Sequence, residues 1–180
     1  MHPQPDEVVE FWRAAGAQRW FARDEAFDAE CMGRFVQAHH AAARREFESW
    51  AEDAQGALAL VILLDQIPRN VFRGSAHAYA SDGLAREYAH RALEAGFDTQ
   101  VEPELRVFFY MPFEHSEDLA DQERALFLHR ALPGENADHW ARLHHDVIRR
   151  FGRFPHRNAA LGRTTTPEEQ AFLDSGGFKG

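Results

Sequence analysis

Cysteine is nearly absent from this chain of 180 residues: Cys31 stands alone. No intrachain disulfide can form, and a reducing, cytoplasmic compartment is expected. Lysine is equally scarce, Lys179 being the only one among 20 basic side chains. Long apolar runs are missing too. The longest, Ala57 to Leu64, falls far short of the roughly 20 residues that a membrane-spanning helix needs, so a soluble protein with no membrane partner is expected. The opening Met1-His2-Pro3-Gln4-Pro5-Asp6-Glu7 has neither the basic nor the apolar stretch of a signal peptide. No glycine-rich phosphate loop, G-x-S-x-G elbow, dinucleotide fingerprint or H-E-x-x-H pair occurs, and no cofactor is expected. Twenty basic against twenty-nine acidic side chains leave a net charge of −9, which opposes binding to nucleic acid.

What is present is helical. At 44% hydrophobic and 27% charged, 180 residues are enough for one globular domain with a sizeable core, and no linker or low-complexity stretch divides residues 1–180. Pro5, Asp6 and Glu7 start a helix that Gly16 is expected to stop near Ala15. Phe27, Cys31, Phe35 and His39 recur every four residues on a helix from about Asp24, continuing toward Trp50. Leu58, Leu60, Val61, Ile62, Leu63 and Leu64 leave no polar face, so this helix is buried among others. Pro68 is expected to end or kink it. Further helices are predicted at Ser81–Ala95, Pro103–Met111 (closed by Pro112), Asp118–Leu132 and Asn136–Phe151. A last one starts at a capping box of Thr166, Pro167 and Glu169. With no alternating strand, the class is all-α: eight or nine helices in stacked antiparallel hairpins.

Three segments carry more polar chemistry than helix packing requires. The first, Asp65-Gln66-Ile67-Pro68-Arg69-Asn70 with Arg73, puts a carboxylate at the end of an apolar rod, where it needs Arg69 or Arg73 as a partner. The second is Glu114-His115-Ser116-Glu117 with Gln122. Glu114, His115 and Glu117 suit acid-base chemistry, while the blander reading has Ser116 or Glu117 capping the next helix. The third, Arg149 to Arg163, holds five arginines, His156 and no acid, a local charge of +5 in a chain whose remainder totals −14. Guanidinium forks suit carboxylate and phosphate, so Arg153, Arg157, Asn158 and Arg163 are candidate ligand groups. His144 falls on the apolar stripe of its helix and reads as a core histidine. The adjacent pairs His39-His40 and His144-His145 diverge by about 100° on a helix and chelate poorly, so no metal site is expected.

Together the three segments resemble the DUF924 family over nearly the whole chain, residues 5–175. Carrying the resemblance are Leu64-Asp65-Gln66-Ile67-Pro68-Arg69-Asn70, Pro112-Phe113-Glu114-His115-Ser116-Glu117 and Phe151-Gly152-Arg153-Phe154-Pro155-His156-Arg157-Asn158. Ile67 stands where the pattern usually has phenylalanine. The resemblance implies a tetratricopeptide-like helical fold and brings no assigned catalytic residues.

Three functional readings follow. In the first, Asp65, Arg69, Asn70, Arg73, Glu117, Gln122, Arg153, Arg157, Asn158 and Arg163 line a groove for an anionic small molecule or a peptide carboxylate. In the second, the protein is a hydrolase in which Glu114 or His115 is the base and His156 the acid. In the third, the motifs form a polar lock that fixes the fold. Oligomeric state has no sequence signature here.

Overall fold

Proline, glycine and polar caps set the helix boundaries in the computed structural model, which describes residues 2–178. Eight α-helices and several 3-10 turns, with no strand, make up the described residues. Helix α1 (Pro5–Trp20) begins where the Gln4 amide donates to Glu7 Oε2 at 2.7 Å. Gly16 breaks it with φ of 67°, but the chain resumes helix to Trp20 rather than stopping. In α2 (Glu25–Ala43) the Asp24 carboxylate caps the Phe27 amide, and Phe27, Cys31, Phe35 and His39 form a buried stripe as the spacing predicts. The expected continuation to Trp50 fails at Arg44; a 3-10 turn (Glu48–Glu52) follows instead.

The apolar rod is α3, continuous from Ala54 to Val71 in three segments: α-helix at Ala54–Val61, a π-turn at Ile62–Gln66 and α-helix again at Ile67–Val71. Every residue from Gly56 to Pro68 is buried. Fully burying one leucine or isoleucine is worth about 1.5–3 kcal/mol, so this rod is a major source of stability. A side chain could not replace Gly56, where a Cβ would stand 2.2 Å from the Trp50 carbonyl oxygen.

Pro68 does not end the rod. The Ile67 amide reaches back five residues to the Ile62 carbonyl, which skips Leu63, and Pro68 has no N–H to offer Leu64. Two carbonyls are thereby left without a backbone donor in a dry core, and side chains supply the missing bonds. His39 Nδ1 donates to the Leu63 oxygen at 2.9 Å and Ser81 Oγ to the Leu64 oxygen at 2.6 Å. The Asp65 carbonyl takes Arg69 Nη1 at 2.7 Å.

Helices α4 (Asp82–Glu94), α5 (Pro103–Glu114), α6 (Leu119–Arg130), α7 (His139–Phe151) and α8 (Pro167–Asp174) complete the chain. Pro112 lies inside α5 rather than closing it. Gly96 and Gly152, at φ 69° and 68°, lie at the ends of α4 and α7 in the left-handed region that favours glycine. The capping box before α8 forms as its sequence predicts.

The helices gather into two compact units, one from the N-terminus to Arg73 with His77–Pro112, the other Gly74–Ala76 with Phe113 onward. In the first, Trp12 meets Phe27 and stands edge-on to Phe108 at 5.6 Å. In the second, Val147, Ile148 and Phe154 form a buried cluster under Phe151, Phe172 and Phe178. No described helix is long and apolar enough to cross a membrane.

Replacing Ser81 with alanine removes the side-chain donor to the Leu64 carbonyl. A buried carbonyl left unpaired costs about 1–3 kcal/mol, so Ser81→Ala loses that much in denaturant unfolding, and an unchanged midpoint would contradict the role given to the hydroxyl.

Candidate functional site

Of the residues singled out in the sequence, Asp65, Arg69, Asn70 and Arg73 lie in the first unit. Glu114, His115, Glu117, Gln122, Arg153, His156, Arg157, Asn158 and Arg163 lie in the second. Arg69, Arg73 and Arg153 each have an acidic partner, which takes support from an anion-binding role for them. Asp65 is fully buried; its carboxylate lies 3.2 Å from Arg69 Nη1 and accepts the Gln66 amide at 2.5 Å. Arg69 then grips Asp82 with both terminal nitrogens at 2.8 and 2.9 Å. Burial works against its charge, but Asp65 and Asp82 outweigh that and raise its pKa. Arg73 pairs with Asp28 through two bonds of 2.6 and 3.0 Å and touches the Asn70 side chain. Asn70 in turn donates to the Gln66 carbonyl.

The second unit repeats the pattern in its Arg149–Arg163 loop. Arg153 is bidentate on Glu169 at 2.6 and 2.8 Å. Asn158 donates to Glu169 and accepts from Arg163 Nε. Arg163 is bidentate on Glu117, at 2.7 and 3.0 Å, and also reaches the Phe154 carbonyl. Glu117 closes the ring by accepting the Phe154 amide at 2.8 Å. Arg157 is buried with its guanidinium 4.5 Å over the Phe154 ring. Paired forks of this kind hold geometry as well as charge. The expected cap on α6 is also corrected. Asp118 fills that position, Ser116 donates to Asp121, and Gln122 pins the Glu114 and Ser116 carbonyls at 2.6 Å each.

Glu114 is the last residue of α5. Its carboxylate, 4% exposed, lies between two histidines that were not paired with it in the sequence reading. His129 Nε2 reaches one oxygen at 2.9 Å and His144 Nδ1 the other at 3.0 Å. Burial alone would raise the Glu114 pKa, yet the bonds from His129 and His144 prevail and pull it far below the ordinary carboxylate range. Glu114 is therefore ionised and a poor base. Burial likewise lowers His129, but Glu114 outweighs it and the pKa is raised. With Nδ1 donating to the Ala125 carbonyl and Nε2 to Glu114, His129 fits the protonated form.

His156 is poorly suited to be the acid. Burial, then Arg157, pushes its pKa down to about 3, so it is neutral near pH 7, with a buried Nδ1 that has no hydrogen-bond partner. His115 is buried with its ring 6.0 Å from that of His144. His144 itself is a core histidine, as its place on the stripe predicts, but a chemically engaged one. Its Nδ1 also donates to the Trp140 carbonyl at 2.9 Å, and the rings of Phe154 and Phe178 stand 5.5 and 4.3 Å away.

The match of these motifs with known proteins is now informative. The family profile described as "Bacterial protein of unknown function (DUF924)" matches residues 8–177. The chain belongs to the DUF924 family. A solved structure titled "Structure of Protein of Unknown Function ATU0120 from Agrobacterium tumefaciens" is similar at 52% identity and a TM-score of 0.92. The match covers 95% of this chain and 97% of that one. No curated protein matches. The all-helical fold of this DUF924 member is thus shared with a solved relative.

What the sequence reading missed in DUF924 terms is His129. It sits one helix after Glu114 with no motif around it, and α6 and α7, packed together, bring His129 and His144 to the same carboxylate.

Three outcomes are expected. Glu114→Gln breaks a buried ion pair and costs about 3–5 kcal/mol. His129 has its pKa raised above the ordinary 6.5, so its contribution is complete below that pH and fades as pH rises through the folded value. Glu114 has its pKa lowered from 4.5, so its share is lost as pH falls below that value. The gap in melting temperature between wild type and His129→Gln is therefore widest between about pH 4.5 and 6.5 and narrows above it; a gap that widens with rising pH would refute the assignment. In the arginine ring, Arg163→Ala leaves Glu117 and Asn158 short of donors and costs about 1–3 kcal/mol by denaturant unfolding.

Proposed function

We propose that this DUF924 protein carries a proton-transfer site in its second unit, with His144 as the general base and Glu114 as the carboxylate that orients it, serving hydrolysis of a small ligand. The observation that carries this reading is the 3.0 Å bond from His144 Nδ1 to Glu114. A carboxylate holding one imidazole nitrogen fixes the tautomer and leaves the other nitrogen's lone pair to take a proton. No hydrogen bond to described residues occupies His144 Nε2. Water is the nucleophile in this scheme: Nε2 takes its proton while its oxygen attacks the acyl carbon, and as the tetrahedral adduct collapses the acyl C–O bond breaks and the leaving alkoxide takes that proton back from Nε2, giving acid and alcohol. The Ser116 hydroxyl is committed to Asp121 and is not the attacking group.

Beside this cluster runs a groove of about 510 Å³ lined by Trp140, Leu143, Val147, Phe151, Phe172 and Phe178. Phe178 also meets His144 and, at 5.5 Å, His156. Arg150, paired with Glu168, and Asp146 are its charged lining residues, so a small ligand with an apolar body fits best. The arginine pairs favour a distinct role for the remaining motifs, that of a polar lock holding the loop around Asn158. A cytoplasmic setting goes with this reading, since the one cysteine is a buried free thiol and the fold uses no disulfide.

The test reads the base directly and then its activity. In nitrogen NMR at pH 7, His144 shows Nδ1 protonated and Nε2 bare, and nitrophenyl esters of short apolar acids are cleaved faster than in buffer. His144→Gln, assayed at a temperature where its circular dichroism shows it folded, loses about 100-fold or more of that rate. A protonated Nε2, or an unchanged rate in His144→Gln, would sink the proposal.

A further inference from the structure

The π-turn in α3 has a consequence outside the second unit. His39 donates Nδ1–H to the Leu63 carbonyl, which has no backbone donor of its own, and this fixes the neutral imidazole in one tautomer. Its lone pair then sits on Nε2. A ring nitrogen bound to a backbone carbonyl, with the opposite nitrogen left as a donor of electrons, is the arrangement that orients histidine toward a metal ion. Two more imidazoles lie beside it. His40 follows it on α2, half-buried, and His77 is exposed on the 3-10 turn Ala76–Tyr79. One ring nitrogen from each of the three lies within 4.8 Å of the others.

We propose that His39, His40 and His77 bind one divalent transition-metal ion of the zinc, nickel or copper type through three imidazole nitrogens. The donor set selects the ion: three neutral nitrogens and no carboxylate suit these borderline cations and not calcium or magnesium. Zinc–nitrogen bonds of about 2.0–2.1 Å place tetrahedral ligand atoms roughly 3.4 Å apart, so closing on the ion draws the nitrogens together by about 1.4 Å at most. His39 is 2% exposed and held by Leu63, so it is the fixed member, and His40 and His77 turn toward it. Phe72 supplies an apolar wall, stacked on the His77 ring at 4.2 Å and lying 5.8 and 6.0 Å from the rings of His39 and His40. Exposure of His77 leaves a fourth position for water or a small anion, the arrangement of three-ligand sites that bind an exchangeable group.

The pair His39-His40 alone diverges on its helix; the third ring completes the set. His77 is 37 residues further along the chain and carries no ligand-spacing signature, so the site is invisible to motif reading. Neither the ion nor its ligands involve Glu114 or His144, and the two proposals stand or fall separately.

Chelator-treated protein titrated with Zn2+ or Co2+ in a calorimeter takes up one ion per chain. Bound Co2+ shows the intense visible absorption of a tetrahedral centre. His77→Ala changes an exposed side chain, keeps the melting transition of the apo protein, and weakens binding at least about tenfold; His40→Ala does the same. His144→Gln binds the ion as wild type does, which separates this site from the histidines of the second unit. Zn2+ alone raises the melting temperature of wild type and not of His77→Ala. No uptake of Zn2+, Co2+, Ni2+ or Cu2+ at stoichiometric ion, or equal affinity in His77→Ala, would overturn the proposal.

Discussion

A proline inside a fully buried helix creates a debt of hydrogen bonds, and the first unit is arranged around settling it. Skipping Leu63 and depriving Leu64 leaves two carbonyls where water cannot reach. His39 must then face α3 from α2, and Ser81 must sit just ahead of α4. The positions of both neighbouring helices are thereby tied to a local defect in the third. Arg69 extends the same arrangement, bonding a carbonyl of the π-turn with one nitrogen and Asp82 at the start of α4 with two. An uninterrupted α-helix would need none of these side chains.

In the second unit an ionised carboxylate plays the organising part. Glu114 is almost wholly removed from water, and such a charge is tolerated only where donors surround it. His129 from α6 and His144 from α7 are those donors, while Gln122 fastens the backbone on which Glu114 sits. One group therefore sets the angle of two imidazoles at once, and that rigidity is what a proton-transferring histidine requires. The loop from Arg153 to Arg163 is held by separate carboxylates, Glu169 and Glu117, so its charge is balanced without drawing on Glu114.

Much of the fold was legible in the sequence because its signals are local. Asp24 and Thr166 cap the helices they precede, and the four-residue recurrence of Phe27, Cys31, Phe35 and His39 marks a buried face. Pro68 is carried inside the helix for a physical reason. A proline's cost lies in the unpaired carbonyl and the clash with the preceding turn, and both vanish when a π-turn widens the helix and a distant hydroxyl replaces the missing donor. No local rule foresees Ser81 answering Pro68. The candidate site was legible in composition and not in partnership: Glu114 was picked out, but its histidines come from two later helices, and pairing at such range is decided by packing. The arginine loop was read with its neutralisation left open, and Glu117 and Glu169 decide it.

The scarcity of lysine has its own outcome once the pairs are known. Between residues 2 and 178 every permanently cationic side chain is a guanidinium, a group that stays charged at any pH the protein meets and does not act as an amine nucleophile. Amine-directed acylation and other lysine-directed modification therefore find no side-chain target in that stretch, and the bidentate bonds to Glu117, Glu169, Asp28 and Asp82 lie beyond the reach of such chemistry.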